Sequence, residues 1–234
     1  MASRPIYIPL IDGQDFVVER CFDFDWHAGL SPSQKKKNVK ALHECARKAG
    51  FGNILEISTK SESPLGMSLS AFNLKVYSKY FGLISLESAF QGSKVFEFGG
   101  PFTDLYGKKG GEIKRDKRLY ESGKLISFLF EDMEWQLEPK TAFYDWLYLN
   151  SVHAYLKEHQ SLYSFSGFSD IEFNPKRSFN CQARSCALYV SLLKRQMINM
   201  ILLNREAFLS LQKRGYCKVI GASSISSQGK LFAI

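Results

Sequence analysis

The sequence lacks the features that mark secreted, membrane-spanning and zinc-binding proteins. Its opening stretch, MASRPIYIPLIDGQD, contains no basic segment followed by an apolar core. No run of about 18 apolar residues occurs without a charge, so no membrane-spanning helix is predicted. The five cysteines and four histidines show no CxxC or Cys/His ligand spacing. We therefore expect a cytoplasmic protein with reduced thiols, no metal site, no cofactor and no membrane partner.

Enough apolar sequence is present to build a complete core. The chain has 234 residues, of which 45% are hydrophobic and 14% aromatic. A chain of this length buries a full core in one domain, or at most in two small ones. We expect a single domain over residues 1–234, in which the Ser- and Gly-rich segment 221–229 is mobile.

Positive charge is in excess and is concentrated in two stretches. The net charge is +8, which permits attraction to phosphates without establishing nucleic-acid binding. Residues 108–124 carry seven Lys or Arg residues against three acids, and residues 35–48 hold a second basic cluster. The first stretch is either a solvated loop or short hairpin, or a phosphate contact. Gly99 and Gly100 beside it could let backbone amides approach a pyrophosphate.

The spacing of apolar residues predicts both strands and helices. A strand, an Asp12-Gly13 turn and a second strand are expected between Arg4 and Val18. The alternating aromatics that follow, ending at Trp26, form either a buried strand face or, with His27, a stacking shelf for a base. A further strand is predicted at 53–58, a strand or short helix at 125–130, and helices at 33–49, 143–159, 182–195 and 198–211. We expect an α/β or α+β fold in which helices surround a small central sheet.

The stretch from Leu69 to Lys94 carries the strongest candidate for chemistry. After a Gly82 turn, Ser85 is a plausible N-cap for a helix. The apolar residues Leu86, Ala89, Phe90 and Phe96 would share one side of this helix. The opposite stripe would hold Glu87, Gln91 and Lys94. This stripe is either a solvated face with a Glu-to-Lys attraction, or a catalytic wall that combines an acid, an amide and an amine.

The same stretch resembles the signature of the NADAR family, whose members act on ADP-ribose and related N-glycosides. The matching segments are LSAF at 69–72 and LESAFQGSK at 86–94. Ala71 stands where the family has Asn, and Ser88 stands where it has His. Asn73 is a candidate for the displaced amide.

A second set of segments is similar to one NADAR subgroup, the antitoxins that accompany DarT-type DNA ADP-ribosyltransferases. The segments are WHAGLSPSQKKKN at 26–38, LEISTKS at 55–61, SDIEFNP at 169–175 and RSFNCQARS at 177–185. Asp170 matches the family's acidic residue, while Phe173 replaces the usual Trp and no Gly follows it. The resemblance covers roughly residues 20–195.

The resemblance implies a single NADAR-type domain that removes ADP-ribose from the amino group of guanine in DNA. The partners it implies are the modified guanine, the ADP-ribose product and a cognate DarT-type toxin. The alternative is a non-catalytic antitoxin that binds ADP-ribose or DNA.

Cleavage of a C1′–N bond needs a group to stabilise positive charge or activate water and a second group to assist departure of the base. Glu87 and Asp170 are the candidates for these roles. Lys94, with Lys60 in reserve, is the candidate for a Schiff base, which requires a neutral amine although the ordinary pKa of lysine is about 10.4. Arg184 has the guanidinium geometry that suits a diphosphate. The predicted substrate-binding residues are Trp26, Phe72, Asn73, Gln91, Asn174, Asn180, Gln182 and Arg184.

Overall fold

The fold is described by a computed structural model that covers residues 1–29, 31–156, 160–175 and 178–220. The segment 221–229, which was predicted to be mobile, lies outside these residues. The strands are β1 (Ala2–Pro9), β2 (Val17–Phe24), β3 (Ile54–Glu56), β4 (Lys75–Ser78), β5 (Gly82–Ser85), β6 (Lys94–Phe96), β7 (Leu125–Phe130), β8 (Met133–Gln136), β9 (Gly167–Ser169) and β10 (Cys217–Ile220). The α-helices are α1 (Pro32–Lys48), α2 (Pro64–Ser68), α3 (Leu86–Gly92), α4 (Gly110–Ile113), α5 (Arg118–Glu121), α6 (Ala142–Leu156), α7 (Gln182–Lys194), α8 (Ile198–Leu203) and α9 (Arg205–Arg214).

The largest sheet has the strand order β10-β2-β1-β9-β3. The predicted hairpin of β1 and β2 is confirmed, and Gly13 in its turn has a φ of 77°, which glycine adopts without strain. Because β1 is antiparallel to both β2 and β9, and β3 is parallel to β9, the carboxyl ends of β2, β3 and β9 lie at one edge. We call this edge the site edge.

Helices cover the two faces of this sheet. On one face, which we call the α1 face, Val39, Leu42 and Ala46 of α1 pack in one cluster with Ile6 and Phe22. The other face, called the α7 face, is covered by α7, against which α6 packs. There, Tyr7, Leu55 and Phe168 belong to the main core. The alternation of side chains along each strand decides which residues reach which face.

Within the described residues, the other strands form two smaller sheets, which are the hairpin of β4 and β5 and the antiparallel sheet β6-β7-β8. The prediction of a mixed α/β fold is confirmed, with the strands divided over three sheets. The extent of the domain stays a prediction. Among the described residues, no helix is both long enough and apolar enough to cross a membrane.

The helix predicted after Ser85 ends earlier than its spacing indicated. It stops at Gly92, and both Lys94 and Phe96 belong to strand β6. Lys94 pairs with Phe128 of β7, so a tertiary partner captures this part of the chain. Gly92 allows close packing at the end of the helix, since a Cβ there would lie 2.5 Å from the ring of Tyr106. The prediction that Lys94 and Phe96 lie on the helix was therefore wrong.

Two other predictions also need correction. The basic stretch 108–124 is not a plain loop or hairpin, because it contains α4 and α5 and packs around Leu105, Ile113 and Leu119. The single helix predicted at 198–211 is divided at Asn204, whose side chain accepts a hydrogen bond from the backbone N–H of Ala207 and begins α9.

Gly100 has a packing role in the structure. A Cβ at this position would lie 2.2 Å from the backbone oxygen of Lys94. The need for glycine here follows from this close backbone approach. The suggested pyrophosphate contact stays a prediction.

Candidate active site at the sheet edge

The start of α3 is fixed against the segment from Leu69 to Leu74. The Ser85 hydroxyl accepts a hydrogen bond from the backbone N–H of Ser88 at 3.1 Å, which confirms the predicted cap. The backbone N–H of Glu87 donates to the carbonyl of Ala71 at 3.0 Å, and that of Leu86 donates to Leu74 at 2.9 Å. Glu87 is therefore held beside the segment that precedes its helix.

The three polar side chains of the predicted stripe remain neighbours although Lys94 lies in a strand. Gln91 Nε2 donates to Glu87 Oε1 at 3.1 Å, and Lys94 Nζ lies 5.3 Å from the ring centroid of Phe90. All three side chains are half-buried. Burial lowers the pKa of Lys94, while the charge of Glu87 opposes that shift. The stripe is therefore not an open solvated face.

Asp170 follows strand β9 at the site edge and is only 6% exposed. Its Oδ1 accepts a hydrogen bond from the backbone N–H of Glu172 at 3.0 Å, and the side-chain amide of Gln182 lies near enough to lower the pKa of its carboxyl. Gln182 Oε1 in turn accepts the backbone N–H of Ala71 at 2.8 Å. Because Ala71 also bonds to Glu87, a continuous chain of contacts joins Asp170 to Glu87.

Tyr144 on α6 is a member of this site that sequence reasoning missed. Its ring lies edge-on to Phe90, with ring centroids 5.3 Å apart. Burial raises the pKa of its hydroxyl well above the ordinary value, and Glu87 and Asp170, when they are ionised, raise it further. The phenol is thus within electrostatic reach of both candidate catalytic acids. Its position in an apolar helix of the core gave no signal for such a role.

Sequence reasoning also missed a polar network on the α1 face at the same edge. Glu56, at the end of β3, is buried and accepts hydrogen bonds from Ser58, Ser169 and the backbone of Ile171. His43 Nε2 lies 2.7 Å from Ser169 Oγ. One signal in the sequence could have indicated this network. Glu56 lies between Leu55 and Ile57 in a predicted core strand, so its side chain points to the opposite face of the sheet from theirs, and a helix that covers that face would bury it.

The predicted stacking residues occupy different surroundings. Phe72 is 36% exposed, and its ring lies against Gly110 with Lys114 Nζ 5.0 Å from the ring centroid. It therefore faces the basic stretch. Trp26 instead joins the cluster on the α1 face, with the guanidinium of Arg4 5.2 Å from its ring centroid.

The polar binding candidates also differ in what they contact. Asn73 Nδ2 donates to the carbonyl of Met67 at 2.9 Å, a contact within its own turn. Lys60 Nζ lies 3.1 Å from the hydroxyl of Thr59. The backbone oxygen of Asn174 accepts the N–H of Ser178 at 3.0 Å.

The residues at the start of α7 hold buried polar atoms without protein partners. Arg184 donates to the carbonyl of Phe179 at 2.8 Å, and its charge opposes the rise that burial causes in the pKa of Glu19. Among the described residues, Asn180 Oδ1 and Arg184 Nε are buried and have no hydrogen-bond partner. Unpaired buried polar atoms are rare, and a bound ligand is one way to satisfy them.

A groove of about 950 Å³ opens on the α1 face and reaches Glu56. His43, Lys40 and Arg47 of α1 are among the residues that line it. Glu87, Lys94 and Asp170 are not in its lining. We place the candidate chemistry on the α7 face despite this groove, because the acid, the amide and the amine with a lowered pKa come together there.

Comparison with known proteins supports one assignment. No curated protein matches the chain. The model of one family, described as the DarT1-associated NADAR antitoxin, matches residues 2–219. This match confirms the resemblance found in the sequence. Because it covers nearly the whole chain, the protein belongs to the family of DarT1-associated NADAR antitoxins.

Proposed function

We propose that this antitoxin is an enzyme that removes ADP-ribose from guanine bases in DNA. It would cleave the N-glycosidic bond between C1′ of the ribose and the amino nitrogen of guanine, and so reverse the modification made by a DarT-type toxin. The chain of contacts from Asp170 through Gln182 and Ala71 to Glu87 is the observation that carries this proposal. It brings residues from distant parts of the sequence to one place.

The two carboxyl groups suit the two demands of the reaction. As the bond breaks, positive charge develops at C1′ and negative charge on the departing nitrogen. Glu87, held by Gln91, is the group we assign to the ribose side. Asp170 is the group we assign to the base, since burial raises the pKa of its carboxyl well above the ordinary value.

Lys94 supplies a covalent route. Its amine, whose pKa is lowered by burial, attacks C1′ in the neutral form while the bond to guanine breaks. The electron pair of that bond goes to the guanine nitrogen, which takes up a proton. Opening of the ribose ring then gives an iminium, and water hydrolyses it to release ADP-ribose and the free lysine.

The decisive experiment incubates the purified protein with DNA that carries ADP-ribose on guanine and measures released ADP-ribose. We expect release by the wild type, and loss of turnover in Glu87→Ala and Asp170→Ala without loss of fold. Glu134→Ala, at an exposed glutamate outside the site, is the matched control and should behave as the wild type. No release at high protein concentration would overturn the proposal and favour an antitoxin that acts by binding ADP-ribose or DNA.

Borohydride trapping tests the covalent route. An iminium is reduced to a stable amine, so the wild type should retain ADP-ribose after reduction in the presence of substrate. Lys94→Ala should abolish the adduct, and Lys60→Ala should leave it intact. An unchanged yield in Lys94→Ala would remove Lys94 from the mechanism.

A further inference from the structure

Glu56 is the most completely hydrogen-bonded carboxylate at the site edge among the described residues. It is 3% exposed and ends strand β3. Its Oε1 accepts hydrogen bonds from Ser58 Oγ at 2.7 Å and from the backbone N–H of Ile171 at 2.8 Å. Its Oε2 accepts Ser169 Oγ at 2.5 Å. Burial raises the pKa of Glu56, and these three hydrogen bonds oppose that rise.

These contacts hold Asp170 from both sides along the chain. Ser169 precedes Asp170 and Ile171 follows it, and Glu56 binds both. Glu56 lies directly opposite Ser169 in the parallel strands β3 and β9, and this strand register keeps its carboxyl beside both residues. Asp170 itself lies on the α7 face beside Gln182, because neighbouring positions of a strand point to opposite faces. A movement of Glu56 would therefore displace Asp170.

The hydrogen bonds from His43 through Ser169 to Glu56 run in one direction. Burial lowers its pKa to about 4, so the imidazole is neutral at physiological pH. Because the Ser169 hydroxyl gives its hydrogen to Glu56, its oxygen accepts the Nε2–H of His43. The network from His43 through Ser169 thus directs its donors toward Glu56 and opposes the rise that burial causes in the pKa of that carboxyl.

We propose that Glu56 is the positioning residue of the site, which orients Asp170 and retains a proton on its carboxyl so that Asp170 is the proton donor to guanine. The charge of Glu56 raises the pKa of Asp170, so the two buried carboxyl groups do not both ionise readily, and Glu56 accepts the larger set of hydrogen bonds. The role in the reaction rests on the proposed function, whereas the protonation of Asp170 does not.

The other groups that face Asp170 agree with this assignment. Burial and then the charge of Glu56 raise the pKa of Asp170, and Glu172 adds a smaller contribution in the same direction. Burial also raises the pKa of Tyr144, Tyr148 and Cys181, which interact with Asp170 and stay neutral. In the reaction, Asp170 gives its proton to the guanine nitrogen as that atom receives the electron pair of the C1′–N bond. The water that later releases ADP-ribose returns a proton to Asp170.

The test is Glu56→Gln, which keeps the size of the side chain and removes its charge. Carboxyl ¹³C NMR of protein labelled at aspartate follows the titration of Asp170, with Asp170→Asn to assign its signal. We expect the midpoint for Asp170 to fall by about one pH unit or more in Glu56→Gln. Glu62→Gln, at an exposed glutamate that pairs with Lys40, is the matched control and should leave the midpoint unchanged.

The same variants are then compared on DNA modified at guanine. In Glu56→Gln, kcat at pH 7.5 should fall about tenfold or more and should recover as the pH is lowered, while KM stays within about twofold. A fall in kcat that is equal at every pH would indicate a merely structural role and overturn the proposal. An unchanged titration of Asp170 would overturn it as well.

A second variant covers the case in which Glu56→Gln does not fold. Ser169→Ala removes one donor but keeps the charge, so Glu56 competes more strongly for the shared proton. The titration midpoint of Asp170 should fall by a smaller amount, and no change would contradict the proposal. If the wild type releases no ADP-ribose, the proposed function fails, yet the NMR titration still decides whether Glu56 sets the protonation of Asp170.

Discussion

Asp145 and Asp170 are both buried carboxylates next to α7, but their surroundings differ. Asp145 on α6 is fully buried and Asp170 is 6% exposed. Four side-chain donors surround Asp145: Thr141 Oγ1 at 2.8 Å, Ser185 Oγ at 2.5 Å, Gln212 Nε2 at 3.1 Å and Tyr216 OH at 2.8 Å. The carboxyl of Asp170 instead accepts one backbone N–H, lies near the amide of Gln182 and interacts with the carboxyl of Glu56.

The difference shows that burial alone does not mark a catalytic acid. The donors around Asp145 come from the residue before α6, from α7, from α9 and from the residue before β10, so this carboxylate joins four parts of the fold. Its hydrogen-bonding capacity is satisfied by the protein. Asp170 has few donors and a like-charged neighbour, an arrangement that favours a protonated and reactive group. The two aspartates therefore differ in their partners, which are hydrogen-bond donors for Asp145 and a second carboxyl group for Asp170.

The largest expected effect is the loss of stability in Asp145→Ala. The substitution leaves buried donors such as Ser185 and Tyr216 without their acceptor, and each such group costs about 1–3 kcal/mol. We expect the free energy of unfolding to fall by about 3 kcal/mol or more, measured by urea denaturation followed by circular dichroism. A loss below about 1 kcal/mol would show that Asp145 does not hold these elements together.

The network behind Asp170 should respond to acid through His43. Its pKa is about 4 in the folded protein against 6.5 ordinarily, so between these values the unfolded chain binds a proton that the folded chain does not. The free energy of unfolding should therefore fall by about 3 kcal/mol as the pH drops from 6.5 to 4.

His43→Gln removes this acid dependence and can still donate a hydrogen bond to Ser169. We compare the urea denaturation of wild type and variant at pH 7 and pH 4.5. Between pH 7 and pH 4.5 the wild type should lose more of its free energy of unfolding than the variant does. An equal loss of the free energy of unfolding in both proteins would indicate that His43 is not neutral and buried in the folded state.

The sequence predicted features that form between neighbouring residues better than features that depend on tertiary contacts. The β1-β2 hairpin and the helices α1, α6 and α7 follow from apolar spacing over neighbouring residues. The cap at Ser85 is also a local signal, since it bonds to a residue three positions away. Such features need no distant partner to form.

The features missed at the candidate site depend on contacts between distant residues. Lys94 is placed in a strand by Phe128, and Glu56 is buried by contacts with residues more than 100 positions away, including Ser169 and Ile171. Spacing contains no information about such partners. Asp170 was found only through the family resemblance, and its contrast with Asp145 became visible once their donors were known.

The matched pair Gln182 and Gln212 tests whether the two carboxylates differ in function. Gln212 donates to Asp145, whereas Gln182 accepts the backbone N–H of Ala71 and lies near the carboxyl of Asp170. Each Ala substitution should cost about 1–2 kcal/mol of stability, because each removes a buried hydrogen bond. On modified DNA, Gln182→Ala should lower kcat and Gln212→Ala should leave kcat per folded molecule unchanged. Equal kcat values in the two variants would remove Gln182 from the site.

The smallest expected change in stability is that of Asp170→Asn, and it gives the sharpest contrast with Asp145. The amide oxygen of the new side chain still accepts the N–H of Glu172. The substitution also removes a carboxyl group whose ionised form is disfavoured by burial and by Glu56. At pH 7 the free energy of unfolding should therefore stay within about 1 kcal/mol of that of the wild type. Because the pKa of Asp170 is raised in the folded state, its stabilising contribution is lost as the pH rises, and the variant should gain stability relative to the wild type from pH 6 to pH 8.5. Urea denaturation at both pH values measures this gain. A loss of about 3 kcal/mol at pH 7, as expected for Asp145→Ala, would show that Asp170 holds the fold together in the same way and would remove the basis for distinguishing it as the acid of the site.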